Sequence, residues 1–547
     1  MKSVRLLGAV ALSLGVCIPA QAQGASASRA SAPVLAQQDT SPANWWLLEG
    51  RYPGIGAERL YREVLANRRP ARSVVVAIID SGTDVGHPDL DGSLWTNPRE
   101  VAGNGRDDDG NGYADDVHGW NFIGARDGRN VSVDTYEVIR IYGQLRRYEG
   151  ANPDTLRGDA RREYDLYREV KPQVERQRTG AQQSLAEIRE YEKVLNRALT
   201  ILRGQLGADS LTVENVTRLQ SMRQDVAAAK QLYLGLAQQG YSPRQVFEQR
   251  KDLEERVQFA LNPDFDTRTT IVGDNYANVT ERVYGNRDVK GPFGDHGTHV
   301  AGIVAAERGN GMGIDGVAPT GTRLMIVRTV PNGDERDKDV ANAIRYAADN
   351  GAHVINMSFG KGYSPQKRAV DDAVRYAESK GVLLVHAAGN EGENLNENKN
   401  FPTPRFEGGG EARSWIEVGA SSWEGPDRLA APFSNWGKGQ VDVFAPGAQI
   451  LSTIPGGRYE RNSGTSMAAP VVSGVAALLM SYFPNLTAVQ IKQIILDSST
   501  RFPDQMVVRP GTENERVRFA ELSTTGGIVN AYAAFQMAER MSGAARR

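Results

Sequence analysis

Ser73-Val74-Val75-Val76-Ala77-Ile78-Ile79, ending on Asp80-Ser81-Gly82, is the stretch that decides the fold. Seven residues without a charge, most of them β-branched, do not alternate as a half-exposed strand would. The run reads as a strand covered on both faces, the kind found in a parallel sheet. Similar runs at 323–329, 353–357, 382–386 and 415–419 alternate with helical patterns at 338–349, 366–380 and 465–483. Strands alternating with helices of this length predict an α/β fold with a mostly parallel sheet.

One stretch breaks the alternation. Residues 130–262 are rich in Arg, Glu, Gln and Leu. Leu185, Ile188, Tyr191, Leu195, Leu199, Leu202 and Leu206 recur at helical spacing, as do Leu219, Met222, Val226, Ala229, Tyr233 and Leu236. Each set is one apolar stripe. Gly207-Ala208-Asp209-Ser210 separates them, which predicts an inserted helical hairpin, and Ser242-Pro243-Arg244-Gln245 reads as a capping box opening a third helix. Pro172 is expected to kink or divide the helix that holds it. The stripes either pack on each other or offer a surface for a partner or self-association.

The whole chain has 547 residues, 64 Lys plus Arg against 66 Asp plus Glu, and 40% hydrophobic residues. A net charge of −2 gives no electrostatic reason to expect nucleic acid. No apolar run in the body of the chain approaches the roughly 20 residues that span a bilayer, so no transmembrane segment is expected. The first 22 residues differ: Lys2 and Arg5 precede an apolar stretch from Leu6 to Ile18, and Ala20-Gln21-Ala22 fits a cleavage site. They read as a signal peptide, with residues 23–42 a flexible lead-in, and predict a secreted, periplasmic or cell-surface protein. The only cysteine, Cys17, leaves with the signal; a lipoprotein reading would instead use Leu14-Gly15-Val16-Cys17.

Three motifs stand in order on the α/β part: Asp80-Ser81-Gly82-Thr83 at the end of the first strand, Asp295-His296-Gly297-Thr298-His299, and Gly464-Thr465-Ser466-Met467-Ala468-Ala469-Pro470. Acyl transfer to a serine needs a base to take its proton and a carboxylate to orient that base. A helix start at Ser466 offers unpaired N–H groups to an oxyanion, and Ala387-Ala388-Gly389-Asn390 follows a buried strand with an amide to spare. Together these motifs resemble the subtilisin-like serine peptidases (subtilases), in the chain order Asp, His, Asn, Ser. The resemblance runs from about Val74 to the C-terminus, minus the insertion, and implies a peptidase domain over 43–129 and 263–547 with the three-layer α/β fold of that family. It implies that Asp80 orients the imidazole, His296 is the general acid/base, Ser466 is the nucleophile and Asn390 completes the oxyanion hole, while His299 is left to packing.

It also implies a serine endopeptidase acting on polypeptide substrates. Ser358, Phe359 and Gly360 would pair with the substrate backbone; Ala387, Ala388 and Gly389 would wall a primary pocket whose small residues suggest room for large apolar side chains. The chief alternative is an inactive scaffold that binds a partner through the insertion. The insertion separates Asp80 from His296 by 216 residues, far more than the family's usual spacing. For a metal, Asp107, Asp109 and Asn111 sit at alternate positions with Gly112 at the turn, half of an EF-hand-like loop: either a calcium loop or a solvated acidic turn. Asp89 and Asn310 match side-chain ligands of a calcium site in many subtilases.

Overall fold

The computed structural model describes residues 42–544. The expected signal peptide, its cysteine and nearly all of the lead-in lie outside the described residues. The described chain separates into two compact units, a helical one at 138–265 and an α/β one formed by 42–137 and 266–544.

In the α/β unit the opening run becomes β1 (Val75–Asp80). It is joined by β2 (Gly119–Asn121), β3 (Arg323–Arg328), β4 (Val354–Met357), β5 (Leu383–Ala387), β6 (Trp415–Ser421) and β7 (Val443–Pro446). β8 (Ile450–Ile454) and β9 (Arg458–Asn462) form an antiparallel hairpin, as do β11 (Met506–Val508) and β12 (Arg516–Arg518). The short β10 (Thr500–Arg501) and β13 (Gly527–Ile528) complete a nine-stranded sheet of order β10-β13-β7-β6-β5-β4-β1-β3-β2. All its pairings are parallel except β10 with β13.

The two faces explain the unbroken hydrophobicity of β1. Val76 and Ile78 point to one layer, with Val300, Ile303, Val472 and Val475 from α1 (Asp295–Ala305) and α4 (Thr465–Tyr482). Ala77 and Ile79 point to the other, with Ile344, Ala347, Ala373 and Val374 from α2 (Asp337–Asp349) and α3 (Lys367–Ser379). Both strand faces are dry, so neither tolerates a polar residue. This is the predicted three-layer arrangement. Among the described residues α4 is the one helix long and apolar enough to cross a membrane, and 94% of it is buried in the fold.

The helical unit is organised around one helix, Gly158–Leu206, with shorter helices at Gln224–Gln238 and Pro243–Glu255. Leu185, Ile188, Leu195, Leu199 and Leu202 pack with Ala229, Tyr233, Leu236 and Val246, so the stripes meet inside the unit. The capping box at Ser242 and Gln245 forms as read. Pro172 does not divide its helix, which continues with Val170 and Val174 buried on either side of it; burial outweighs the one backbone hydrogen bond a proline forfeits. The second stripe starts later than its spacing suggested: Met222 is fully exposed and the helix begins at Gln224. The unit itself begins at 138 rather than 130, because Val131 and Asp134 donate backbone hydrogen bonds to Ile123 and Asn332 of the α/β unit.

Candidate functional site

Three site segments leave the carboxyl ends of neighbouring strands. Asp80 ends β1, Ser358-Phe359-Gly360 continues β4, and Ala387 to Asn390 continues β5. His296 and Ser466 each stand in the first turn of a helix, α1 and α4, and these two helices pack together on one face of the sheet. Crevices at the carboxyl ends of parallel strands are where α/β sheets gather functional groups.

Asp80 and His296 meet across the long insertion. His296 Nδ1 lies 2.8 Å from Asp80 Oδ1, which also accepts the Ser81 N–H at 2.6 Å. Burial alone would lower the imidazole pKa; the Asp80 charge and hydrogen bond outweigh it and hold His296 above its ordinary value. Gly297 permits the approach, since a Cβ there would stand 2.2 Å from the Gly82 carbonyl oxygen and 3.2 Å from the Asp80 Cβ. His299, three residues on, has other partners. It is fully buried, with Nε2 3.1 Å from the Ile450 carbonyl and 3.0 Å from that of Glu460, and burial pushes its pKa down to about 3.

Ser466 is 6% exposed, and its Oγ donates to the Ser358 carbonyl at 3.2 Å. Among the described residues no hydrogen bond joins it to His296. Asn390 is fixed by its oxygen: Oδ1 accepts the Thr465 N–H at 2.8 Å and the Thr465 hydroxyl at 3.1 Å. Asn390 is exposed and lines the same pocket as Ser466. Thr465 thus fixes the oxygen end of the amide.

The pocket beside Ser466 is lined by Phe359, Gly360, Ala387 and Gly389, as expected, and by Glu391 and Asn400, which were not. Asn400 donates to the Ala387 carbonyl at 3.0 Å, and burial pushes Glu391 up to about 7 against the Asn435 hydrogen bond it accepts at 2.7 Å. The space left between these walls is about 10 Å³, room for roughly one water. Phe359, Glu391 and Asn400 thus stand in its wall beside the small residues Gly360, Ala387 and Gly389. Ala388 is no part of the wall. It is buried among Leu429, Val441 and Phe444, because alternate residues leaving a strand face opposite sides.

The two metal candidates differ. Asp89 is buried and its oxygens accept from Asn310 Nδ2 (2.7 Å), Ile314 N (3.2 Å) and the Tyr459 hydroxyl (3.2 Å). Asn310 donates to Asp89 and accepts the Met312 N–H, so the structure brings the two residues together. In the acidic loop Asp107 and Asn111 are spent on backbone N–H groups of residues 111–113. Asp109 also accepts the Asn111 N–H and pairs with Arg99, both at 3.0 Å, and it lies with Glu100 and Asp116, carboxylate oxygens within 4.8 Å of one another. Burial first, and Asp109 nearby, push Asp116 up to about 6 against hydrogen bonds from Tyr346, Asn97 and Asn111. Three converging hard oxygen ligands fit calcium.

A family model described as the subtilase family matches residues 71–516. This chain belongs to the subtilase family. It is 47% identical over 202 residues to the thermophilic serine proteinase of Bacillus sp. (strain AK1), covering 37% of this chain and 46% of that protein. It is 39% identical over 219 residues to the major intracellular serine protease of Bacillus subtilis (strain 168), covering 40% and 64%. To subtilisin DY of Bacillus licheniformis it is 37% identical over 221 residues, covering 40% and 75%. The matched stretch thus spans 46% and 64% of the first two relatives' own length. This subtilase carries its helical unit, 138–265, inside the matched span.

Proposed function

We propose that this subtilase is an exported serine endopeptidase. The observation that carries the reading is the 2.8 Å contact of His296 with Asp80, in a sheet that also sets Asn390 and Ser466 on one pocket. Attack requires the Ser466 hydroxyl to leave the Ser358 carbonyl and pass its proton to His296 Nε2 as Oγ bonds the peptide carbon. Asp80 keeps Nδ1 protonated and steadies the imidazolium that forms. The charge on the former carbonyl oxygen falls to the N–H of Ser466 at the start of α4 and to Asn390 Nδ2. His296 then returns the proton to the leaving amine, and water repeats the sequence on the acyl-enzyme. Polypeptides are the substrates, laid along Ser358 to Gly360 at the edge of the pocket.

Export rests on the basic, apolar and small-residue pattern of the first 22 residues. We assign calcium a structural part, held by Glu100, Asp109 and Asp116; the ion would neutralise their mutual repulsion and takes no part in the reaction. Fluorophosphonate labelling tests the central claim. The parent is expected to label at Ser466 and cleave peptides, and Ser466→Ala to do neither while keeping its fold; a parent that is folded and inert refutes it.

A further inference from the structure

Pro470 lies inside α4, four residues after Ser466. In a helix the carbonyl of residue i takes its hydrogen bond from the N–H of residue i+4. Proline has none, and its ring crowds the carbonyl it should have served. The Ser466 carbonyl, buried with its residue, thus loses its helical donor.

The structure fills that gap from another strand. Ser358 Oγ lies 2.9 Å from the Ser466 carbonyl oxygen. Behind it Asn356 Nδ2 donates to Ser358 Oγ at 2.9 Å, and Ser473 Oγ donates to Asn356 Oδ1 at 2.8 Å. Ser358 is 1% exposed, and Asn356 and Ser473 are wholly buried. The direction of this chain is forced. The Asn356 N–H₂ can only donate, so Ser358 Oγ accepts there and its own proton must go to the Ser466 carbonyl. Ser473 and Ser466 sit on one helix, Asn356 in β4 and Ser358 just beyond it, so the relay ties the first turns of α4 to the strand it packs on.

We infer that the Ser358 hydroxyl is a positioning group for the nucleophile: it satisfies the carbonyl that Pro470 strands, and Asn356 and Ser473 aim it. It acts separately from the Ser358 carbonyl, which receives the Ser466 hydroxyl. What it holds in place is the backbone of Ser466, hence both the base of the nucleophile and the N–H that faces the oxyanion. This rests on the peptidase reading above and gives one of its residues a further task.

The test is a cycle between Ser358→Ala and Pro470→Ala, read by peptide hydrolysis and by the rate of fluorophosphonate labelling. Ser358→Ala is expected to lower kcat by roughly ten- to a hundredfold, the scale of a small misplacement of reacting groups, with KM within about twofold. Adding Pro470→Ala restores an N–H at position 470 and should recover at least about tenfold of that loss. Ser473→Ala, which cuts the relay at its far end, should give a smaller loss of the same kind, and serves if Ser358→Ala does not fold. Rescue by Pro470→Ala is the result a general packing defect cannot produce. A parent that neither labels nor hydrolyses refutes the peptidase reading and this inference with it. A parent that labels, with Ser358→Ala or Ser473→Ala labelling equally fast, or with no recovery from Pro470→Ala, refutes the positioning role alone.

Discussion

His299 should make the α/β unit sensitive to mild acid. Its Nε2 faces the carbonyl oxygens of Ile450 and Glu460 at 3.1 and 3.0 Å, so the proton of the neutral ring sits there. Its Nδ1 is buried with no hydrogen-bond partner. Burial is the main cause that pushes the pKa from 6.5 down to about 3, and the charge of His296 adds to it. Between those two values the unfolded chain binds a proton that the folded chain refuses. Stability therefore falls as pH drops below 6.5 and goes on falling until about pH 3. One proton is worth about 1.4 kcal/mol per pH unit, so about 2 kcal/mol is gone by pH 5. His299→Gln keeps an N–H for the two carbonyls and has nothing to titrate. Urea unfolding at pH 7.5 and 5.0, on a Ser466→Ala background to prevent self-cleavage, measures the difference. All seven tryptophans lie outside 138–265, so their fluorescence reports the α/β unit. The parent should lose about 2 kcal/mol more than His299→Gln over that interval; equal losses would refute the reasoning.

Asn390→Ala should lower kcat by roughly 10²–10³-fold, the range known for an oxyanion-hole donor of subtilisin, with little change in KM; an unchanged kcat removes Asn390 from the oxyanion hole. Because Asp80 holds the His296 pKa above 6.5 and the base must be neutral to work, the acid limb of kcat/KM should lie above 6.5. Asp80→Asn leaves only burial acting on the ring, so the limb of the residual activity should move to lower pH, and a limb that stays put contradicts the assignment. Melting temperature in excess calcium should exceed that in excess chelator, by mass action worth about 2.7 kcal/mol at a hundredfold excess over Kd. Asp109→Asn should abolish that difference while Asn310→Ala leaves it. Replacing 138–265 with a short Gly/Ser linker should leave a folded unit that cleaves small peptides. The helical unit satisfies its own stripes, and its two ends adjoin where Arg146 pairs with Asp264 at 2.5 Å; an insoluble product or loss of small-peptide cleavage counts against it.

Most of the strands and helices of the α/β unit were legible in the chain. A seven-residue run without charge can persist in water only if both faces are covered, so β1 and the parallel sheet were legible in Ser73 to Ile79. Asp80, His296 and Ser466 were legible as a set, through the resemblance of their motifs and chain order to the subtilases. What only the tertiary structure decided is which of these ends adjoin. Strand order β5-β4-β1-β3 is not written in the chain, and it alone puts Asn390, Ser358 and Asp80 side by side. The same holds for Glu391 and Asn400 lining the pocket, for Ala388 turning into the core, and for Glu100 and Asp116 standing beside Asp109. A side chain's partner across space depends on packing between segments far apart in sequence, and local periodicity carries no information about that distance. Pro470 shows both halves: the chain reveals that a carbonyl at Ser466 lacks its donor, and only the fold supplies Ser358 to meet it.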